Sequence, residues 1–413
     1  MKQSGEMLRH FAFFEELGKM DERDPAWHSV SAGLVLLRLV DEWIDVGLGS
    51  NRPDAWSISA VREAIAEMPE TTPLRRILTG VLDTIVSSDV VANHVVSPRL
   101  MAFAQVLEYE AKWSLAADVY RTIVAHGHPM EDGDIVVPAS IQLGLCLRNL
   151  GDLQGAADAY TDAGRVADSN GDLIGVLRAR IGEAKIATAR GNMPQAEAML
   201  EETIQCAEAN SLDDVHSRAL HDRALVAGLR GQYDRVVQFA YRALDLATGQ
   251  RERDRILADI ATGFLDLGLV DVARDAYLIL VATAQDQYVR WTAGLNLMQV
   301  ASREQMEPMF DRYRRDFDNV ELPPYLQAYY FLNVGNGYRT FGRNRDAVPY
   351  LERAVQVATT NQLNQLLFQA EESLAGARVA AARPPVQNNV YVPQEVLRVA
   401  TAIRELKLQT ANA

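Results

Sequence analysis

From residue 97 to 360, apolar and small side chains recur at intervals of three and four, interrupted at regular distances by short polar turns. That is the period of an amphipathic helix. Leu143, Gly144 and Leu147 precede a turn at Gly151, and Ala156, Tyr160 and Ala163 follow it, which predicts two helices joined head to tail. Gly-Asp at 151, Gly-Asn at 191 and Gly-Gln at 231 stand 40 residues apart, each followed five residues on by Ala156, Ala196 or Val236. The same frame runs back to Ala111 and forward to Gly268, then to Ala301 with Met306 and Phe310, then to Gly342 with Ala347 and Leu351. Seven units result, at spacings of 40, 40, 40, 37, 33 and 41 residues. The glycine ends each first helix, because a left-handed residue there costs no Cβ clash. One hairpin cannot bury its apolar face alone, so a fixed period predicts an all-α stack of neighbours.

The flanks lack this frame. Residues 1–96 read as about four helices, with stripes at Ile58, Val61, Ile65 and Met68 and at Leu74, Ile77, Val81 and Ile85. The segment 27–46 is apolar on more than one face, which predicts a helix buried in a bundle. This N-terminal part is either a cap for the stack or a separate effector module. A closing helix is expected over 361–382, and the paired prolines of 383–392 predict an extended linker. In the last segment, 393–413, Val396, Val399, Ile403 and Leu406 form an amphipathic stripe. It predicts docking on the stack, on a second copy of the chain as a homodimer, or on another protein.

Charge narrows the partners. The 413 residues carry 41 Lys and Arg against 55 Asp and Glu, a formal charge of −14, which speaks against nucleic acid because phosphate binding needs a basic surface. The densest apolar run, 32–40, is too short to span a bilayer, and the acidic N-terminal stretch does not read as a secretion signal, so no membrane is expected. Cys146 and Cys206 lie in helical patterns with apolar neighbours and read as reduced structural thiols, consistent with a cytoplasmic protein. No phosphate loop, H-E-x-x-H, G-x-S-x-G or C-x-x-C occurs, so no enzyme and no cofactor is expected. His126, His128, Glu131, Asp132 and Asp134 crowd one loop, yet their spacing matches no known metal loop, and the segment reads as solvated. His216 and His221 are five apart, do not share a face, and read as surface or groove residues.

The sequence resembles the tetratricopeptide repeat, with a longer, roughly 40-residue unit. The resemblance is carried by Val334-Gly335, Tyr338, Gly342, Ala347, Leu351 and Ala354, and nearly as well by the Leu143-Gly144 unit. It implies a right-handed α-solenoid of about seven hairpins, whose first helices line a concave wall that binds a protein or peptide segment without catalysis. Aligning the hairpins by their turn residue places Arg178, Arg218 and Arg255 at equivalent sites on three first helices, with Lys185 two turns beyond the first. They form a candidate basic strip for an acidic segment, unless acids one turn on, Asp222 and Asp259, neutralise them. In peptide-binding members of the resembled family, first-helix asparagines grip the ligand backbone, which here points to Asn333 and Asn336, with Arg339 continuing the face. Trp291, Tyr329 and Tyr330 are candidates for an aromatic floor. The layout, a helical bundle followed by seven hairpins, is also similar to that of bacterial peptide-responsive regulators of the Rap type, which implies a switch in which a bound peptide alters the action of the N-terminal helices on an effector.

Overall fold

A computed structural model describes residues 9–47, 54–87, 93–361, 363–379 and 392–411. The linker expected at 383–392 lies outside them save for its last residue, as do residues 1–8 and 380–382. Every regular element among the described residues is an α-helix, as the sequence period requires. The chain divides into two compact units, Met1–Thr203 and Ile204–Ala413.

The first unit begins with α1 (Phe11–Leu17), α2 (Pro25–Gly47), α3 (Ala55–Ala66) and α4 (Pro73–Ser87), followed by α5 (Asn93–Tyr109), α6 (Trp113–His126), α7 (Gly133–Asn149), α8 (Leu153–Ser169) and α9 (Leu173–Ala189). Helix α2 packs against α1, α3, α4 and α6, and Val30, Leu34, Leu36, Leu37, Leu39, Val40 and Trp43 are all buried, which accounts for its lack of a polar face. One apolar core runs from Phe13 through Phe103 and Tyr120 to Tyr160 and Ile186. The N-terminal helices and the first hairpins therefore share a single interior. Inside it sits an ionic clasp. The buried His10, ahead of α1, stands 3.1 Å by Nε2 from Asp41 Oδ2 on α2 and 3.5 Å by Nδ1 from Asp118 Oδ1 on α6. Asp41 also meets His126 Nε2 at 2.7 Å and Arg9 at 3.2 Å, and Arg9 reaches Asp45 at 3.0 Å. His126, expected in a solvated loop, is thus drawn inward to a carboxylate 85 positions away.

Helix α10 (Met193–Ala209) carries the boundary between the units. The second unit continues with α11 (Asp213–Leu229), α12 (Tyr233–Leu246), α13 (Gln250–Asp266), α14 (Val270–Thr283), α15 (Gln287–Arg303), α16 (Glu307–Arg315), α17 (Pro324–Thr340), α18 (Asn344–Thr360), α19 (Asn364–Arg378) and α20 (Gln394–Ala411). Each first helix from α7 to α17 has 17 residues, so part of the long period lies in long helices. First helices pack on one another, α13 on α15, α15 on α17 and α17 on α19.

The hairpin turns correct one part of the expected frame. Ala111, Gly151, Gly191, Gly231, Gly268 and Gly342 all have positive φ at the turn. The sixth turn residue is not Ala301, which is helical and buried, but Gln305, with φ of 58°. Around Gln305 the next amide, Met306 N, bonds to Ala301 O at 2.8 Å and Gln305 N bonds to Ser302 O at 3.1 Å. Arg343 N to Tyr338 O and Gly342 N to Arg339 O repeat that pattern at a glycine. Both are the paired bonds that close a helix over a left-handed residue. The intervals become 40, 40, 40, 37, 37 and 37 residues. Gln305 was hidden because the sequence signal for such a turn is glycine, and here hydrogen bonding holds a side-chain-bearing residue in the same conformation.

The C-terminal stripe is covered within the chain. Helix α20 packs on the second helices α14 and α12, burying Val396, Val399, Ala400 and Ile403, with Leu406 half-buried. Arg404 pairs with Asp271 and Lys407 with Asp275, both on α14, which fixes the register. The homodimer expected through Val396, Val399, Ile403 and Leu406 would need a face that α12 and α14 already occupy. The tail also lies on second helices and leaves the first-helix face of its unit uncovered by this contact.

Candidate functional site

Positions 13, 9 and 6 residues before each turn fall on one face of a first helix, because these offsets differ by three or four. In the second unit they read Arg218, Asp222 and Leu225 on α11, Arg255, Asp259 and Thr262 on α13, Thr292, Asn296 and Gln299 on α15, and Tyr329, Asn333 and Asn336 on α17. With the sixth turn at Gln305, the amide pair of α17 has an amide pair in the neighbouring hairpin. The frame anchored at Ala301 had concealed Asn296 and Gln299.

Asn296, Gln299 and Asn333 form one connected network through Tyr329. Gln299 Nε2 donates to the Tyr329 hydroxyl at 3.0 Å and to Asn333 Oδ1 at 2.8 Å, and the Tyr329 hydroxyl donates to Asn296 Oδ1 at 2.8 Å. Burial pushes the Tyr329 phenol up to about 12, so it stays a donor. Asn333 is 4% exposed, and its Nδ2 has no hydrogen-bond partner among the described residues. Asn336, one turn on, is half-buried and accepts from Arg339 Nη1 at 3.4 Å. Close packing around α17 depends on glycine: a Cβ at Gly335 would come 2.5 Å from Leu351 Cγ on α18, and one at Gly337 would overlap the Phe310 ring on α16.

Charge lies beside the network. On α15, Arg303 bonds to Leu265 O and stands 3.9 Å from Asp266, whose carboxyl burial raises above its ordinary range while Arg303 opposes the rise. Arg218 pairs with Asp214 at 3.3 Å and Arg255 approaches Asp286 at 3.5 Å; both arginines are exposed. Asp259 takes His221 at 2.6 Å instead of an arginine. Arg178, exposed, and Lys185, half-buried, lie on α9 of the first unit. His216 is not a surface residue: it is 7% exposed, and burial lowers its affinity for a proton.

The aromatic floor also differs from expectation. Tyr330 is buried against Phe317 and Phe331, and Trp291 is half-buried. The open rings are Tyr288 on α15 and Tyr325 on α17, 44% and 47% exposed, and Tyr325 stacks on Tyr329 at 6.4 Å with 17° between planes. Each is the second residue of its helix, 17 before the turn, so the repeat frame places both at the start of the same stripe.

No protein-family model matches the chain, and no curated protein does. Solved structures do. The apo form of the quorum sensor NprR from B. thuringiensis matches with a TM-score of 0.54 and 14% identity, over 89% of this chain and 97% of that one. The Rap conjugation gene regulator of plasmid pLS20, in complex with the Phr* peptide, matches with 0.50 and 10% identity, over 85% and 98%. A putative kinesin light chain from Podosopora anserina with nearly identical TPR-like repeats matches with 0.39 and 14% identity, over 47% and 99%. No helix among the described residues is long and apolar enough to cross a membrane.

Proposed function

From a fold of the tetratricopeptide-like repeat type, we propose that this chain is a non-catalytic receptor for a peptide segment, bound along the first-helix stripe of its second unit. The observation that carries the reading is the amide network on α15 and α17, with a buried Asn333 amide that has no acceptor among the described residues. A buried unsatisfied donor costs about 1–3 kcal/mol. A peptide carbonyl is a suitable acceptor, since extended backbone presents both donors and acceptors to side-chain amides. Asn336 is the amide such a ligand meets first, and rotation of Gln299 opens the way to Asn333. Tyr288 and Tyr325 supply flat contact area at the start of the stripe. Arg218, Arg255 and Arg339 favour carboxylates, although each of the first two must exchange an aspartate for the ligand. Arg178 and Lys185 occupy the equivalent positions on α9 and are candidates for the same role in the first unit.

The test is selection of random 12-residue peptides against the full chain. Enriched peptides that lose about tenfold affinity with Asn336→Ala or Gln299→Ala support the stripe, at roughly one hydrogen bond each. Absence of any enriched peptide would sink the reading.

A second reading builds on the first: ligand binding changes how α1 to α4 act on an effector. It is favoured by the two solved structures above with TM-scores of 0.50 and more, one a regulator in complex with a peptide and the other a quorum sensor. X-ray scattering profiles of the chain that do not change on adding a selected peptide would argue against it.

A further inference from the structure

The first unit holds a cleft of about 470 Å³ beside α4 and α5 that the peptide reading does not use. Its floor is the α4 face carrying Arg76, Thr79, Gly80 and Asp83, residues spaced three and four apart and hence on one side of the helix. Arg99, from α5, lies across this face: a Cβ on Gly80 would stand 2.6 Å from its Nη1. Gly80 thus seats the guanidinium against the α4 backbone. Arg75 completes the lining, its Nη1 donating to Met68 O at 3.0 Å, with Glu70 3.9 Å away and pointing largely into solvent.

Arg76 and Arg99 make no ion pair among the described residues. Three guanidinium groups outnumber the two carboxylates of the lining in a chain whose overall charge is −14, so the local excess runs against the composition. Guanidinium forks match oxyanions bidentately, while the Thr79 hydroxyl already donates to Arg75 O at 2.8 Å. A volume of this size suits a small ligand.

We propose that this cleft is a binding site for a phosphoryl dianion, either inorganic phosphate or a small phosphate monoester, held between Arg76 and Arg99. A phosphoryl dianion brings to the two forks more oxygens than a single carboxylate does, and about twice its charge.

Isothermal titration of the full chain with inorganic phosphate, phenyl phosphate and acetate tests this and separates the two sources. The expected result is saturable one-to-one binding of at least one phosphoryl compound, not competed by acetate, and weakened about tenfold or more by Arg99→Gln and by Arg76→Gln. Arg99→Gln is the decisive variant, and Gly80→Ala supports it. The latter leaves every charge in place and improves helix propensity, while its methyl shifts the tip of the Arg99 side chain, so a smaller loss of affinity is expected. Phosphate affinity unchanged in Gly80→Ala and Arg99→Gln identifies an adventitious ion only. That result, no saturable binding, or equal affinity for acetate overturns the proposal.

Discussion

His10 lies between two carboxylates, Asp41 on one ring nitrogen and Asp118 on the other. A neutral imidazole would turn a lone pair toward one of them, so the geometry asks for the doubly protonated form. Burial alone would lower its proton affinity; the carboxylates of Asp118, 3.5 Å away, and of Asp41, hydrogen-bonded at 3.1 Å, outweigh this and raise it from 6.5 to about 9. The folded state therefore binds this proton more tightly than the unfolded one. Its contribution, roughly 3 kcal/mol, is complete below pH 6.5 and disappears as pH climbs through about 9. His10→Gln is expected to lower the melting temperature at pH 6 and to flatten its fall toward pH 9; an unchanged slope would show that His10 does not titrate in the clasp. Gly335 offers a second residue-level test. Gly335→Ala puts a methyl 2.5 Å from Leu351 Cγ and is expected to cost about 1–3 kcal/mol in urea unfolding. The role of Gly335 was legible, because an apolar-glycine pair in a helical pattern signals close contact. The clasp was not, since nothing local relates Asp41 to His126.

Among the elements, the hairpins were legible wherever a glycine marks the turn and illegible at α15 and α16, where Gln305 takes its place. That single displaced anchor hid Asn296 and Gln299, the partners that turn Asn333 from a lone candidate into part of a network. The conformation itself is testable. Gln305→Gly is expected to be neutral or to stabilise by up to about 1 kcal/mol, whereas Gly342→Ala is expected to destabilise by about 1 kcal/mol, because only the latter forces a Cβ into a left-handed site now free of one. Helix α20 showed its apolar stripe in sequence but not its berth, since α12 and α14 lie more than a hundred positions upstream. Ile403→Asp buries a charge at that contact and is expected to release the helix, read as faster amide exchange across 394–411 with little change in α17. Equal exchange in both proteins would mean that the contact does not hold α20 in solution.

For the molecule as a whole, period alone gave the all-α repeat class, since each hairpin must bury its face on the next. Function was less legible, because a binding stripe uses the same offsets as a packing stripe and differs only in which side chains are polar. Arg218 and Arg255 looked like a basic strip in sequence, but Asp214 and Asp286 stand beside them in space. The amide network differs because Asn296 and Asn333 are buried and the Asn333 Nδ2 has no acceptor among the described residues. The most direct measurement is amide hydrogen exchange of the full chain with and without a saturating selected peptide. Peptide receipt on the first-helix stripe requires new protection in α15 and α17, with α12, α14 and α20 unchanged. Protection confined to the α20 contact, or none in α15 and α17, would contradict it.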